Sequence, residues 1–309
     1  MPDALLARDL GQFLRGMLLR SGLTRVYHCG LVFASAVSAV VFAVEKGKAP
    51  KKIISQVREG MSAIDEHRCS RRRFQSDPRH RLLVHASDKE AHLLQRITTN
   101  SHPLGSIVHI SRGEEIGRKH VHSEGAVPIT VGDDITRYAL KRPTRFIDKI
   151  TKHDELYESP KIVVVKTGWQ CIAAIDCDDR VTMQSVYNLH GSDDSIALEG
   201  ILGILNSRFV RFFIYKTFTA YKLLFPQLNQ TTIESIPIPR RDARRWKPLC
   251  KRVTTRIALH TQLAAAKTAH EKTALQRQID ATDRQIDQLV YDLYGLTDDE
   301  IRIVEDATQ

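Results

Sequence analysis

Cysteine is scarce in this chain and badly spaced for cross-linking. Five occur, Cys29, Cys69, Cys171, Cys177 and Cys250, an odd number with no Cys-x-x-Cys pair. A disulfide framework is not expected on that count, and a reducing compartment is. Zinc ligands are equally short. His120 and His122 make one His-x-His, but no second pair stands at ligand spacing, so no metal site is expected. Long apolar runs are missing too. Residues 29–44 are apolar apart from two serines, 16 positions against the roughly 20 of a spanning helix. They lie behind Arg8, Arg15, Arg20 and Arg25, too deep for a signal peptide. The β-branched Val37, Val40 and Val41 favour a buried strand over a membrane anchor. No internal repeat is visible.

Charge is present in excess of one sign. Lys and Arg number 46 against 36 Asp and Glu, a formal net charge of +10. The last 14 residues carry five acids against Arg302, a net −4, so residues 1–295 hold +14. A polyanionic partner suits such a body, nucleic acid first. A basic but otherwise ordinary enzyme is the plain alternative. The 309 residues leave room for two or three domains, and 42% hydrophobic with 27% charged residues is a folded, globular mixture.

Residues 4–20 space Leu5, Leu6, Leu10, Phe13, Leu14, Met17 and Leu18 at three and four, which predicts an amphipathic helix with arginines on its other face. Strands are expected at 23–28, 36–45 and 53–57, with a turn at 46–50, as the end of a larger sheet. Residues 60–80 are polar and carry Arg71, Arg72, Arg73, Arg79 and Arg81, which reads as a linker or a solvated charge run. A helix follows over 89–98. From Ser106 short β-rich stretches alternate with Gly, Asp and Pro, as in a mixed α+β module. Beyond Pro239 the chain turns helical. Leu275, Ile279, Thr282, Ile286, Leu289 and Leu293 make a seam that packs against another helix, and Gly295 ends it. A helical hairpin is the simplest arrangement.

Three stretches fit one pattern. The first is Ser111-Arg112-Gly113-Glu114-Glu115-Ile116-Gly117, followed by Val127-Pro128-Ile129-Thr130-Val131-Gly132-Asp133-Asp134-Ile135-Thr136-Arg137-Tyr138. The second is Lys161-Ile162-Val163-Val164-Val165-Lys166, leading to Leu202-Gly203-Ile204-Leu205-Asn206-Ser207 and Ile236-Pro237-Ile238-Pro239. The third is Leu289-Val290-Tyr291-Asp292-Leu293-Tyr294-Gly295-Leu296-Thr297-Asp298-Asp299-Glu300-Ile301. In this order they resemble the C-terminal specificity region, or target-recognition domain, of TaqI-like adenine-specific DNA methyltransferases and of type IIG restriction–modification enzymes. The resemblance spans about residues 90–305. Phe13-Leu14-Arg15, Val32-Phe33-Ala34 and Val40-Val41-Phe42-Ala43-Val44 look like the last helix and strands of that family's methyltransferase domain.

The resemblance implies an α+β fold in four parts. The C-terminal end of a Rossmann-like methyltransferase sheet occupies 1–60, and a linker with a leading helix 61–105. A mixed, mostly antiparallel α+β target-recognition domain occupies 106–239, and a C-terminal helical hairpin 240–309. Two family motifs are absent. Adenine N6 methylation needs a Gly-rich loop for S-adenosylmethionine and an Asn/Asp-Pro-Pro-Tyr/Phe motif for the flipped base. The 11 prolines contain no Pro-Pro pair and the 16 glycines no Gly-x-Gly. No acidic pair followed by Glu-x-Lys marks a nuclease. The chain alone is therefore expected to be inactive.

Loops of such a domain read base edges while basic groups hold phosphates. Arg112, Arg118 and Lys119 flank Gly113 and Gly117, where a backbone without Cβ can approach a phosphate; an ordinary turn with solvated charges is the alternative. Arg137 and Tyr138 follow Gly132-Asp133-Asp134, where Asp133 caps the turn or, less commonly, accepts from a cytosine amine. Lys216, Tyr221, Lys222, Gln227, Asn229 and Gln230 combine cations, one aromatic ring and amides matched to adenine, against the plain reading of a polar loop. Asn206 is expected to cap or cross-link backbone. Arg240, Arg241, Arg244, Arg245 and Lys247 form the densest basic patch, from which Arg244 and Arg245 are taken as DNA contacts, the alternative being a charged coat on the helical tail.

The expected function is DNA sequence recognition for a site-specific adenine-N6 methyltransferase of a restriction–modification system. The chain carries no cofactor of its own, and S-adenosylmethionine belongs to the complete enzyme. Double-stranded DNA and a methyltransferase catalytic domain, in cis or in trans, are the expected partners, in a cytoplasmic setting without membrane. The alternative is a type I restriction specificity subunit, a non-enzymatic DNA-binding protein. That class usually carries two recognition domains joined by long helices, and it leaves the N-terminal strands unexplained. A basic membrane-surface protein anchored through residues 29–44 is the remaining rival.

Overall fold

Apolar and basic side chains exchange their expected places at the N-terminus. Helix α1 (Gln12–Arg20) forms, preceded by short 3-10 turns. Yet Leu10 is 96%, Phe13 78% and Met17 42% exposed, while Arg15 is fully buried. Arg15 is saturated there. It donates to Leu5 O at 2.8 Å, to Arg79 O at 2.7 Å and to His80 O at 3.0 Å. A guanidinium whose three nitrogens each find a carbonyl escapes much of the cost of burial, and it holds its own side of the helix inward. The stripe of Leu10, Phe13 and Met17 consequently faces solvent.

The computed structural model describes residues 1–6, 9–32, 38–59, 62–168, 170–192, 197–217, 227–240 and 242–308. They divide into two units, residues 1–96 with 213–226 and residues 97–212 with 227–309.

In the first unit α1 is followed by β1 (Leu23–Leu31), β2 (Ser38–Val44), β3 (Lys52–Glu59) and β4 (Ser62–Ser70). They form one sheet of order β2-β1-β3-β4, with β1 parallel to β3 and antiparallel to β2. Leu19, Leu23, Val26, Val40 and Ile53 sit in its core. Apart from Val32, the described part of the apolar run 29–44 is strand, and residues 33–37 lie outside the described residues. Among the described residues no helix is long and apolar enough to cross a membrane.

The polar segment 60–80 is not a linker. It supplies β4 and α2 (Arg71–Ser76), with α3 (Asp88–Thr99) after them. β4 pairs antiparallel with β3 from Lys52↔Ser70 to Glu59↔Ser62, while only Cys69 of its side chains is buried. A backbone ladder needs no apolar side chains on its open face, so composition hides such a strand. Its basic block is partly structural: Arg71 donates to Leu23 O at 3.3 Å and Arg73 to Ala86 O at 2.9 Å.

The second unit contains β5 (Ser101–Pro103), β6 (Val108–Arg112), β7 (Val127–Thr130), β8 (Ile135–Thr136), β9 (Ala139–Leu140) and β10 (Arg145–Ile147). Then come β11 (Lys161–Val165), β12 (Ala173–Asp176), β13 (Val181–Thr182) and β14 (Val186–Gly191). Helices α4 (Leu198–Leu205), α5 (Arg208–Thr217, whose end belongs to the first unit) and α6 (Gln230–Glu234) precede β15 (Pro237–Pro239). Helices α7 (Ala243–Ala265), α8 (Ala269–Tyr294) and α9 (Asp298–Asp306) close the chain.

The main sheet has order β12-β11-β14-β6 and is antiparallel throughout. A smaller sheet, β10-β7-β13, joins β7 antiparallel to β10 and parallel to β13. The architecture is α+β, mixed and mostly antiparallel, as the sequence predicts. β11 is buried along its whole length, which explains its unbroken Ile162-Val163-Val164-Val165 run. Its Lys161 is buried too and pairs with Asp176 at 2.5 Å.

α4 lies against α7 at two glycines. A Cβ on Gly200 would overlap the Trp246 ring, and one on Gly203 would stand 2.8 Å from Val253. α8 opens on a capping box between Thr268 and Glu271 and ends at Gly295, whose φ of 60° suits glycine. Ile279, Ile286 and Leu293 of its seam are buried. α9 was not anticipated; its Thr297–Glu300 capping box is legible in the sequence, beneath a surplus of acids.

Candidate nucleic-acid interface

One face of the main sheet gathers residues from three distant stretches. Arg112 pairs with Tyr187, and Tyr187 pairs with Val164. Directly paired side chains share a face, and so do residues two apart on one strand. Lys166 therefore joins Arg112, Tyr187 and Val164 on that face, at its end, where the Lys166 amide donates to Ser185 O at 2.9 Å.

Residues 227–230 dock on this end. The Leu228 amide donates to Lys166 O at 2.7 Å, and Thr167 bridges to Gln227. Tyr187 donates its hydroxyl to Leu228 O at 3.4 Å. Gln230 Nε2 donates to Glu234 at 2.8 Å and reaches Ile110 O at 3.5 Å. The structure thus sets Gln227, Asn229 and Gln230 at the same end of the sheet as Arg112.

The local charge is positive. Arg112 Nε donates to Gln184 O at 3.0 Å, and its Nη1 stands 3.5 Å from Glu115. Lys152 Nζ donates to the carbonyls of Arg112 and Gly113 at 2.8 and 2.9 Å and lies 3.5 Å from Glu115. Lys166 is half-buried, and its amine makes no hydrogen bond or ion pair among the described residues. Burial, and then the neighbouring Arg112 charge, lower its pKa below the usual lysine range, against a weaker pull from Glu115. Sequence reasoning missed Lys166. The available signal was a cation directly after an apolar run, followed by Gly168 at a φ of 138°.

A buried carboxylate braces the Arg112–Gly117 loop from beneath. Glu114 accepts from the Thr151 hydroxyl and amide, from the Lys152 amide at 3.1 Å, and from the Tyr157 hydroxyl at 2.9 Å. Burial alone would raise its pKa, but these donors outweigh it and hold Glu114 below the usual carboxylate range.

Other sequence candidates occupy different places. Gly113 is glycine because the Thr182 carbonyl approaches it so closely that a Cβ would overlap it; the close neighbour is the chain itself. Gly117 is open, with only Lys119 Cγ at 4.0 Å from a hypothetical Cβ. Arg118 and Lys119 start a 3-10 turn there, and Lys119 is exposed. Arg137 is held within the fold: it donates to Asn206 O at 2.9 Å and pairs with Asp283 at 3.4 Å. Asp134, not Asp133, caps its turn, accepting from the Val131 amide at 2.9 Å. Asn206 cross-links backbone as expected, accepting from Ala173 N and donating to Ala173 O, both at 3.0 Å.

Lys216 belongs to the first unit, where it is buried and pairs with Glu90 at 2.9 Å. Tyr221 and Lys222 lie outside the described residues. Asn229 caps α6, with Oδ1 accepting from Thr232 N at 2.8 Å. Arg245 donates to the carbonyls of Asp292 and, at 3.2 Å, Leu293, at the end of α8. Arg244 is exposed; its amide donates to Asp242 at 2.9 Å. Among the described residues no three His, Cys, Asp or Glu side chains gather as metal ligands.

Residues 127–238 match the family model of the TaqI-like C-terminal specificity domain. Comparison with curated proteins returns no match. Among solved structures, the type IIL restriction-modification enzyme MmeI, in complex with DNA, is similar at 10% identity and a TM-score of 0.58, covering 100% of this chain and 48% of that one. The S subunit of a type I restriction-modification system from M. genitalium is 13% identical over 73% of this chain and 52% of that one, with a TM-score of 0.35. The HsdS subunit from Thermoanaerobacter tengcongensis is 12% identical over 72% and 50%, with a TM-score of 0.36. The chain spans about half the length of the solved structures it matches.

Proposed function

We propose that this chain selects a short duplex-DNA site for an adenine-specific methyltransferase of a restriction–modification system. The observation that carries the reading is the convergence of Arg112, Lys166 and the Gln227–Gln230 loop on one positively charged end of the main sheet, with residues 127–238 matching the TaqI-like specificity-domain model. Such an end holds both kinds of group that DNA recognition needs: cations for phosphates, and the Gln227 amide for a base edge.

Catalysis belongs elsewhere. The sequence offers no motif for S-adenosylmethionine. There is no Gly-x-Gly loop and no Pro-Pro pair, and the tightly packed glycines Gly22 and Gly113 have their Cβ space filled by the chain's own carbonyls. The first unit reads as the last strands of a methyltransferase sheet. Its exposed Leu10, Phe13 and Met17 stripe suits a catalytic domain as its cover, in cis or in trans, in the cytoplasm. A type I specificity subunit would account for the second unit and leave this sheet and stripe without a role.

Labelled S-adenosylmethionine and mixed-sequence DNA test the assignment. The pure chain is expected to transfer no label, and a reconstituted enzyme to methylate one short site. Site-specific labelling by the pure chain would contradict it.

A further inference from the structure

We propose that Lys166 and Arg112 form a clamp for a single phosphodiester at the open end of the main sheet. The clamp rests on the DNA-recognition reading above and adds to it a residue and a ligand group. Three features of the site argue for it together.

The first is placement. Arg112 and Lys166 lie on β6 and just beyond β11, the two strands that flank β14, and they point to the same face. Neighbouring strands are about 4.8 Å apart, so the two backbones stand roughly 10 Å apart with long cationic side chains above the gap. Tyr187 of β14 stands between them with its hydroxyl on Leu228 O, so a tetrahedral anion with several acceptor oxygens would lie over that ring and meet both groups.

The second is charge. Arg112 and Lys152 share one carboxylate, Glu115. Lys152 is further committed to two carbonyls. Lys166 has no ion pair, and Arg112 Nη2 has no hydrogen bond among the described residues. Arg112, Lys152 and Lys166 face Glu115 and the Glu114 carboxylate beneath the loop, so the cluster carries one more positive charge than negative. A half-buried amine beside another cation is unfavourable alone, and an anion between them relieves both costs.

The third is rigidity. The Lys166 backbone is fixed on both sides, by its amide on Ser185 and by its carbonyl under Leu228. Arg112 is held through Nε on Gln184. Groups positioned in advance lose little freedom when the ligand arrives. Phosphate, not a base edge, is the better ligand because the like-charged neighbour of Lys166 selects for full negative charge, which the neutral acceptors of guanine do not carry.

Fluorescence anisotropy of the full chain with labelled 24-base-pair duplexes, between 0.05 and 0.5 M salt, tests this. Each phosphate contact adds about 0.9 to the slope of log affinity against log salt. Lys166→Gln should lower the slope by about that amount and weaken binding about eightfold at 0.1 M salt, equally for every sequence. Lys166→Arg should restore most of both. Lys272→Gln, a charge-matched change at an exposed position of α8, should leave them in place. An unchanged slope in Lys166→Gln, with wild-type binding intact, would overturn the clamp and leave DNA recognition standing. A loss confined to one base pair would overturn it in favour of base reading. A large fall in melting temperature would make Lys166 structural and overturn it as well. Absence of wild-type binding, with the catalytic domain added as well as without it, would remove the clamp and the DNA reading together.

Discussion

Asn229 Oδ1 accepts from both the amide and the hydroxyl of Thr232, each at 2.8 Å. The Thr231 hydroxyl adds a third bond at 2.8 Å. The amide oxygen that would read adenine is therefore spent on starting α6. Asn229→Ala should cost about 1 kcal/mol of stability, as other lost N-caps do, and Asn229→Ser should recover most of it. Urea midpoints decide this. Equal midpoints for Asn229→Ala and wild type would show that the cap is dispensable.

Gly113 and Gly117 look equivalent in the sequence and are not. The Thr182 backbone blocks a Cβ at Gly113, whereas Gly117 is open. Gly113→Ala should destabilise the protein by about 1–3 kcal/mol, and Gly117→Ala should stay within about 0.5 kcal/mol of wild type. Thermal unfolding of both variants is sufficient; similar losses would contradict the packing described.

Asp287 ties the start of α5 to α8. It accepts from the Arg208 amide at 2.9 Å, with the Arg208 guanidinium at 3.7 Å and Asp283 on the next turn. Burial raises its pKa from 3.8 to about 6, against the pull of the Arg208 amide, Arg137 and Arg208. The folded form then keeps a proton that the unfolded chain has released. The contribution is full below the unfolded value and is lost as pH rises towards 6. Asp287→Asn should remove that falling component. It is read as the difference in unfolding free energy between variant and wild type across pH 4 to 7. A difference independent of pH would contradict the assignment.

Phe13 is mostly exposed in this chain. Phe13→Glu should leave the melting temperature nearly unchanged, within about 0.5 kcal/mol, and abolish association with a methyltransferase catalytic domain supplied in trans. Retained association would place the docking surface elsewhere.

Much of the second unit was legible from its sequence. The apolar β11 run, the α8 seam and the Gly295 stop each carry a local signal that tertiary packing reinforces. The first unit was less so. Arg15 is buried because carbonyls from a turn some 65 residues away satisfy it, which no helical periodicity reveals. β4 is polar because it lies at the edge of a sheet with an open face. At the candidate interface, residue type alone pointed to Arg112 and Gln227, and the fold sets both at one end of the main sheet. It did not show that Asn229 caps α6 or that Arg245 donates to carbonyls at the end of α8, because a polar group that serves the chain has the same chemistry as one that meets DNA. Lys216 was drawn to its loop by proximity in sequence, while Glu90 holds it in the first unit. Lys166 was invisible because its meaning lies in what it lacks, a counter-charge.

Sequence selection from random duplex DNA tests the central claim most directly. The full chain, with its catalytic domain added where binding needs it, is incubated with a randomised pool, and the retained fragments are sequenced. One short motif should be enriched. Gln227→Ala should relax one position of that motif by roughly 1–3 kcal/mol, while the overall salt dependence stays as it was. Retention without any enriched motif would contradict the claim that this chain reads sequence.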